Sequence, residues 1–313
     1  MDLLNESKKI IINSDIDGVL SGLILSNFAN CVVVGFSNSD NMVWIDQTKI
    51  NTIYDAVYID MFVANSNVKC IDQHIVSVNE EHHRILNANP NKLNPNFDNP
   101  RFHLPNNSYY NKYPFGTIHY LIAILESEGI KVDLDFMKQV GSIKFMDLLL
   151  RADDAMKTTV DSNYMANASA WWNWLVQKSG NANSINSMRQ YLNGLNGIRV
   201  GNIKKMTTSL LTDPTTFACT SPDGGYKSII DSNGKLLNKV SNYFNFISQV
   251  SGLTCFDLNL KLMQQIGRVN RTSLNAMQIN ELINNNSING DSIFSYAFVR
   301  SANRGENFSY TVM

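Results

Sequence analysis

Short apolar segments, several of them followed by aspartate, restrict the fold of this chain more than any other feature. The segments at residues 9–13, 31–36, 56–60 and 68–72 each have the length and composition of one buried β-strand. An apolar stretch typical of a helix, residues 19–28, separates the first two. Short apolar strands that alternate with helical or looped segments predict an α/β fold, in which a parallel sheet is flanked by helices.

The length of 313 residues predicts two domains. We divide the chain into a first domain, a connector and a smaller α+β C-terminal domain that binds substrate, at residues 1–190, 191–220 and 221–313. A long surface loop is expected at 87–114, which holds five of the seven prolines, and a helix at 134–150. The connector is expected because residues 179–202 are rich in Asn, Ser and Gly.

The charge balance narrows the choice of partner. The 26 basic and 27 acidic side chains give a formal net charge of -1, and no block of five or more Lys and Arg occurs. The chain therefore lacks the strongly basic composition of proteins that bind duplex nucleic acid. No segment reaches the roughly 18 consecutive apolar residues of a membrane span. The first residues do not resemble a signal peptide, so we expect a cytoplasmic protein and leave its oligomeric state open.

Acidic residues follow three of the predicted strands. Asp15 and Asp17 come after the first, Asp60 ends the third, and Asp72 and His74 belong to the end of the fourth. Ligands of parallel sheets bind outside the carboxyl ends of the strands, so these side chains are expected to converge. Taken singly, each aspartate also has the simpler interpretation of a helix N-cap. Together, carboxylates and an imidazole suit one or two Mn²⁺ or Mg²⁺ ions, which activate a water for attack on phosphorus.

Four segments carry a further pattern. Residues 15–21 read Asp-Ile-Asp-Gly-Val-Leu-Ser, and residues 57–60 form a strand that ends in Asp. Residues 71–74 read Ile-Asp-Gln-His, and residues 149–153 read Leu-Leu-Arg-Ala-Asp. In order and spacing these segments resemble motifs I to IV of the DHH phosphoesterase superfamily, in its RecJ-like form. The resemblance covers roughly residues 8–160 and implies a DHH-type N-terminal domain with metal-dependent phosphoesterase activity.

The resemblance also implies a role for each residue of the pattern. It implies metal binding by four aspartates and one amide, namely Asp15, Asp17, Asp60 (which bridges two ions), Asp153 and Gln73. His74 is implied to contact the scissile phosphate and to form the catalytic pair with Asp60. Three further residues are implied to orient these groups, namely Asp72, Asp154 and Ser14.

The chain departs from the family pattern at two positions of this site. Ser14 stands where many relatives carry a His before motif I. Gln73 stands where the signature has its first His, which is a metal ligand in the family. An amide oxygen can ligate a hard cation, but it binds a softer ion more weakly than imidazole does. Gln73 therefore predicts a weakened or altered second metal site.

The C-terminal segment holds one further candidate. Residues 298–301 (Phe-Val-Arg-Ser) resemble an Arg-Ser strand of the family, which implies that Arg300 and Ser301 bind a substrate phosphate. A solvated charge on an edge strand is the equally open interpretation of Arg300. The Gly-rich loop that follows this strand in relatives is absent from the sequence.

The pattern predicts a metal-dependent phosphodiesterase or phosphohydrolase that acts on single-stranded or short oligonucleotides or on small nucleotides. Two alternatives stay open. In a haloacid-dehalogenase-type phosphatase, whose Asp-x-Asp-Gly loop also fits residues 15–18, Asp15 would be a covalent nucleophile and Asp17 the general acid. A degenerate, non-catalytic member of the DHH superfamily would bind a nucleotide or a protein, as Gln73 and the missing Gly-rich loop favour.

Overall fold

A mixed sheet of seven strands forms the centre of the protein. The structure is a computed structural model and describes residues 8–38, 40–99, 111–134, 139–140, 143–152, 162–193, 197–301 and 305–313. The described strands are β1 (Lys9–Asn13), β2 (Val32–Ser37), β3 (Met42–Asp46), β4 (Val57–Ile59), β5 (Cys70–Ile71), β6 (Lys92–Leu93), β7 (Gln139–Val140), β8 (Ile143–Lys144), β9 (Leu262–Ile266), β10 (Arg268–Thr272), β11 (Ser287–Ile288), β12 (Asp291–Ser292), β13 (Ser295–Ser301) and β14 (Gly305–Val312). The described helices are α1 (Ile16–Phe28), α2 (Glu80–Ala88), α3 (Pro95–Asp98), α4 (Thr117–Ser127), α5 (Phe145–Arg151), α6 (Ser162–Lys178), α7 (Asn183–Asn193), α8 (Gly197–Thr212), α9 (Asn238–Ser251) and α10 (Ala276–Asn285).

The central sheet confirms the α/β class but is mixed rather than parallel. Its strand order is β6-β5-β4-β1-β2-β3-β9. The strands from β6 to β2 are parallel to one another, whereas β3 runs antiparallel to both of its neighbours. The link between β2 and β3 is too short for the crossover that a parallel pair requires, so these strands form a hairpin.

Helices and a second sheet cover the two faces of the central sheet. Ile10 and Ile12 of β1 belong to one hydrophobic core and Ile11 to the other, because side chains alternate along a strand. The first core contains α1, which packs against α4, α5 and α9. The second core includes Leu282 of α10 and Phe308 of β14. Burial on both faces explains why the strands are continuous apolar runs rather than alternating ones.

A three-stranded antiparallel sheet, in the order β10-β14-β13, lies against this second core. Main-chain hydrogen bonds join it to the loops of the central sheet. The N–H of Ala64 donates to the carbonyl of Phe294 at 2.7 Å, and the N–H of Phe298 donates to the carbonyl of Ile75 at 3.0 Å. The second bond places β13 directly beside the turn that contains His74.

Two predicted segments differ from the structure. The expected surface loop at 87–114 contains β6, which adds to the central sheet, and the short helix α3. The expected helix at 134–150 is replaced, in its described residues, by the antiparallel pair β7–β8 and by α5. Residues 141–142 read Gly-Ser, a dipeptide that marks turns and argues against a continuous helix.

The predicted connector at 191–220 is mostly helix α8, which packs against α5. Its buried residues Ile203, Thr207 and Leu211 follow a helical spacing that the neighbouring Asn, Ser and Gly obscure. From residues 221–313, β9 joins the central sheet and α9 joins the first core. The predicted boundary at 221 thus does not coincide with a change of sheet or core. Among the described residues, no helix combines the length and apolar character that crossing a membrane requires.

Candidate active site

Three strand ends meet at one edge of the central sheet. Because β5, β4 and β1 are parallel neighbours, the residues that follow them lie side by side at their carboxyl ends. A cavity of about 380 Å³ opens at this edge. Five residues singled out from the sequence line it, namely Asp15, Asp17, Asp60, Gln73 and His74. The fold thus brings three separate segments of the chain to one cavity.

The side-chain amide of Asn13 joins two of the carboxylates. Its Nδ2 donates to Oδ2 of Asp15 at 3.0 Å and to Oδ2 of Asp60 at 3.1 Å. Asp15 is the N-cap of α1 and accepts a hydrogen bond from the N–H of Gly18 at 3.0 Å. A Cβ at residue 18 would overlap the carbonyl oxygen of Asn13. Glycine is therefore required where α1 passes the end of β1.

Asp60 lies buried between its neighbours in an uncommon backbone conformation. Its φ of 61 degrees is in the left-handed region, which residues other than glycine seldom adopt. Its Oδ1 accepts a hydrogen bond from Oγ1 of Thr117 at 2.8 Å. Burial, followed by the charge of Asp17, raises the pKa of Asp60 well above its usual value. Burial and the charge of Asp60 do the same to the pKa of Asp15, so these groups disfavour being charged together.

Asp17 serves helix α4 as well as the cavity. Its Oδ2 accepts from the N–H of Thr117 at 2.7 Å, and its Oδ1 accepts from the N–H of Ile118 at 2.8 Å. These N–H groups lie in the first turn of α4, where no partner within the helix exists. The positive end of the helix dipole also favours a carboxylate at this place. The sequence pattern predicts a metal ligand here, and the structure adds a capping contact to a residue 100 positions away.

His74 forms a close pair with Asp72. The buried Asp72 accepts a hydrogen bond from the main-chain N–H of His74 at 3.0 Å, and its Oδ1 lies 2.7 Å from Nδ1 of the ring. Burial opposes protonation of the ring, but Asp72, and to a smaller extent Asp60, outweighs it and raises the pKa of His74 to about 9. A pKa of about 9 favours the protonated ring at neutral pH, with Nδ1 bound to Asp72 and Nε2 able to donate to a ligand.

Gln73 lies in the same turn, and helix α3 fixes the backbone of that turn. The carbonyl of Gln73 accepts from Nδ2 of Asn96 at 2.8 Å, and the carbonyl of His74 accepts from Nδ2 of Asn94 at 2.8 Å. Asn94 is the N-cap of α3. The half-buried side chain of Gln73 forms part of the cavity wall, where its amide oxygen remains a candidate ligand.

Ser14 is buried but does not line the cavity. Its N–H donates to the carbonyl of Ser37 at 2.9 Å and so holds the end of β1 to β2. Its hydroxyl has no hydrogen-bond partner among the described residues. The predicted role of Ser14 in orienting metal ligands is therefore not supported by a contact.

Four other predicted residues cannot be placed in the cavity. Asp153 and Asp154 lie outside the described residues, and so do the side chains of Arg300 and Ser301. The backbone of the last two belongs to β13, and the preceding Phe298 and Val299 line the cavity. Strand β13 therefore runs along the wall of the site.

Four residues that contribute to the site do not follow from the sequence pattern, namely Asn13, Thr117, Arg151 and Asp223. Asn13 carries a usable signal, because it is a polar residue that ends an apolar strand. The bond from Thr117 to Asp60 spans 57 residues and has no local signal. Arg151 and Asp223 line the cavity and form an ion pair, with 2.6 Å between Nη2 and Oδ1. Arg151 belongs to the segment that resembles motif IV, where only the following aspartate has an implied role.

The donor set of the cavity fits a hard divalent cation. Asp60, Asp72 and His74 each offer one ligand atom, and these atoms lie within 4.8 Å of one another. Asp15 and Asp17 add carboxylates to the same wall. A site with many carboxylate oxygens suits Mn²⁺ or Mg²⁺, and a protonated His74 would lie beside the ion rather than ligate it. Such an ion would also stabilise the ionised form of Asp15 and Asp60, which burial and mutual repulsion disfavour.

Comparison with known protein families, with curated proteins and with solved structures finds no match to this chain. Any function therefore has to be inferred from the residues of the chain itself.

Proposed function

We propose that this protein is a metal-dependent phosphodiesterase that acts on single-stranded or short oligonucleotides or on small nucleotides. The observation that carries the proposal is the convergence of Asp15, Asp17 and Asp60 with the Asp72–His74 pair at one cavity. The buried carboxylates favour a divalent cation, and the protonated imidazole favours an anion beside it. A phosphate ester next to Mn²⁺ or Mg²⁺ meets both requirements.

The residues of the cavity have distinct roles in this proposal. Asp15, Asp17 and Asp60 would hold one or two ions, and the amide of Asn13 links two of these carboxylates by donating to both. The chemistry that bound Mn²⁺ or Mg²⁺ supplies is a lower pKa of water and neutralisation of the phosphoryl oxygens. His74 donates from Nε2 to a phosphate oxygen, while the buried carboxylate of Asp72 fixes the orientation of its ring.

The size and charge of the molecule favour a short substrate. A cavity of about 380 Å³ is near the lower end of small-ligand sites and suits a mononucleotide or the end of a strand. The net charge of -1 argues against a long duplex, whose binding requires many basic contacts to phosphates. A few cationic groups at one cavity suffice for a short single strand.

The contacts of Asp17 argue against the haloacid-dehalogenase alternative. That mechanism needs Asp17 as a proton donor, but both of its carboxylate oxygens accept main-chain N–H groups of α4. A proton on either oxygen would face another donor and remove a buried hydrogen bond. The alternative also gives no role to Asp60 or His74.

A nucleotide-binding protein without catalysis is the second candidate. It is favoured by Gln73, which lines the cavity and stands where the resemblance to the DHH superfamily implies a ligating His. The substitution Gln73→His distinguishes the two candidates. It should raise hydrolysis if the second metal site limits the rate, and it should leave a binding protein inactive.

A panel of phosphate esters tests the proposed activity. The substrates are a 5′-phosphorylated single strand, dinucleotides, cyclic dinucleotides and pyrophosphate, each with Mn²⁺, Mg²⁺ or EDTA. We expect metal-dependent turnover of at least one ester and a loss of at least about 100-fold in Asp60→Ala. The matched control is Asp257→Ala, an exposed aspartate paired with Lys49 outside the cavity, which should keep full activity. Absence of turnover with every substrate, or equal rates for wild type and Asp60→Ala, contradicts the proposal.

A further inference from the structure

We propose that Arg151 binds a phosphate of the substrate and that Asp223 positions Arg151 for this contact. The inference rests on the proposed function and adds a second residue, besides His74, that contacts the phosphate. Arg151 is the last residue of α5, and its side chain is only 12% exposed. It lines the same cavity as Asp60 and His74.

The guanidinium of Arg151 is only partly satisfied by the described protein. Its Nη2 lies 2.6 Å from Oδ1 of Asp223. Its Nε is buried and has no hydrogen-bond partner among the described residues. A buried donor without an acceptor is costly, and a bound ligand is one way in which it is satisfied. Guanidinium groups match two oxygens of a phosphate in a planar, bidentate arrangement, so a phosphate is the ligand that this donor group fits.

The turn that carries Asp223 is tied to the segment of the predicted metal ligands. The carbonyl of Asp223 accepts from the N–H of Ile16 at 2.9 Å, and Ile16 directly follows Asp15. Gly224, with a φ of 94 degrees, packs so closely on Tyr243 that a Cβ would overlap the hydroxyl. The turn therefore fixes Asp223 relative to the carboxylates of the cavity, and the ion pair draws the guanidinium towards it.

The charges around the cavity explain why a positioned arginine is needed. The carboxylates of the lining would repel a phosphate when no cation is bound, and Lys112 and Arg151 are basic side chains of the same lining. Without Asp223, the long side chain would lose this ion pair and with it a restraint on its orientation. Asp223 thus acts through Arg151 and does not itself touch the phosphate. The expected ligand class is a nucleoside monophosphate, in preference to the same nucleoside without its phosphate.

Titration with adenosine 5′-monophosphate and with adenosine, in the presence of Mn²⁺, tests this inference without requiring turnover. Wild type should bind the monophosphate more tightly than adenosine. Arg151→Gln should lower the affinity for the monophosphate by about 10- to 100-fold, since it removes charge-assisted hydrogen bonds. Arg151→Lys should retain part of the affinity, and the affinity for adenosine should not change. The matched control is Arg268→Gln, which removes an exposed arginine that makes a 2.6 Å ion pair with Asp291 outside the cavity.

Asp223→Asn should lower the affinity for the monophosphate by about tenfold, the cost of ordering a freed arginine side chain, and Asp223→Glu should restore part of it. A merely structural role of Asp223 would shift the urea midpoint and leave the preference for the monophosphate over adenosine unchanged. Equal affinities of wild type and Arg151→Gln for the monophosphate would overturn the inference. So would a wild-type protein that does not prefer the monophosphate over adenosine. Selective binding that depends on Arg151 without any hydrolysis would refute the proposed enzyme and leave the phosphate contact standing.

Discussion

The start of helix α4 depends on one carboxylate, that of Asp17, and this dependence can be measured. Its two oxygens accept the N–H groups of Thr117 and Ile118 at 2.7 and 2.8 Å. Bonds from buried donors to a charged acceptor contribute about 1.5–3 kcal/mol each. Asp17→Ala removes both but also relieves repulsion with Asp60, whose pKa Asp17 raises. We expect a net loss of about 2–4 kcal/mol in the free energy of unfolding without metal.

Asp17→Asn should have a smaller effect. Its amide oxygen can accept one of the two N–H groups, while its NH₂ faces the other donor. We expect a loss of about 1–2 kcal/mol, so that stability falls in the order wild type, Asp17→Asn, Asp17→Ala. Urea unfolding in EDTA, followed by circular dichroism, measures these differences. The matched control is Asp55→Ala, which removes an exposed carboxylate that accepts one N–H, from Thr52 at 2.8 Å, and should cost less than about 1 kcal/mol.

A residue that serves only as a metal ligand would behave in the opposite way. Removal of one of several buried, mutually repelling carboxylates would then stabilise the metal-free protein. Unfolding midpoints of Asp17→Asn and Asp17→Ala at or above that of wild type would therefore refute the capping role.

Three further predictions concern stability elsewhere in the fold. Gly18→Ala should lower the free energy of unfolding in urea by about 1–3 kcal/mol, because the added Cβ would overlap the carbonyl of Asn13. The same variant should bind Mn²⁺ more weakly. Unchanged stability would contradict the close approach of residue 18 to Asn13. Lys92→Met should lower the free energy of unfolding by about 3–5 kcal/mol, because the buried ammonium donates to three backbone carbonyls at 2.6–2.8 Å. A loss below about 1 kcal/mol would show that these carbonyls find other partners. Burial lowers the pKa of His82 to about 4 and that of His119 to about 3, so the unfolded chain binds more protons below about pH 6.5. The free energy of unfolding should therefore decrease as the pH is lowered below about 6.5, by about 2 kcal/mol per histidine at pH 5. His82→Gln should flatten the dependence of the urea midpoint on pH. An unchanged dependence would contradict the burial of His82 as a neutral group.

The sequence predicted the part of the fold that depends on local patterns. The strands that precede Asp15 and Asp60 are continuous apolar runs, which buried parallel strands require. Strand β3 was missed although it is itself a short apolar run that ends in aspartate, and its antiparallel direction depends on the short link to β2 rather than on its own residues. Helix α8 was missed because polar residues around it conceal a narrow apolar face with Ile203 and Leu211.

The candidate site likewise contains residues that a local sequence pattern indicates and partners that it does not. Asp15, Asp60 and His74 could be singled out because each follows a strand, and strand ends are brought together by any parallel sheet. The partners of these residues come from distant segments. Thr117 reaches Asp60 only through the packing of α4 against α1, and Asp223 meets Arg151 only through a turn 72 positions further along the chain. No pattern of neighbouring residues could have indicated either contact.

Calorimetric titration of Mn²⁺ into metal-free protein tests the central claim most directly. Wild type should bind one or two ions, because Asp15, Asp17 and Asp60 present carboxylates to one cavity. Asp60→Asn should lose this binding, whereas the exposed control Asp257→Asn should keep it. Absence of binding to wild type, or equal binding by wild type and Asp60→Asn, would contradict the assignment of this cavity as a metal centre.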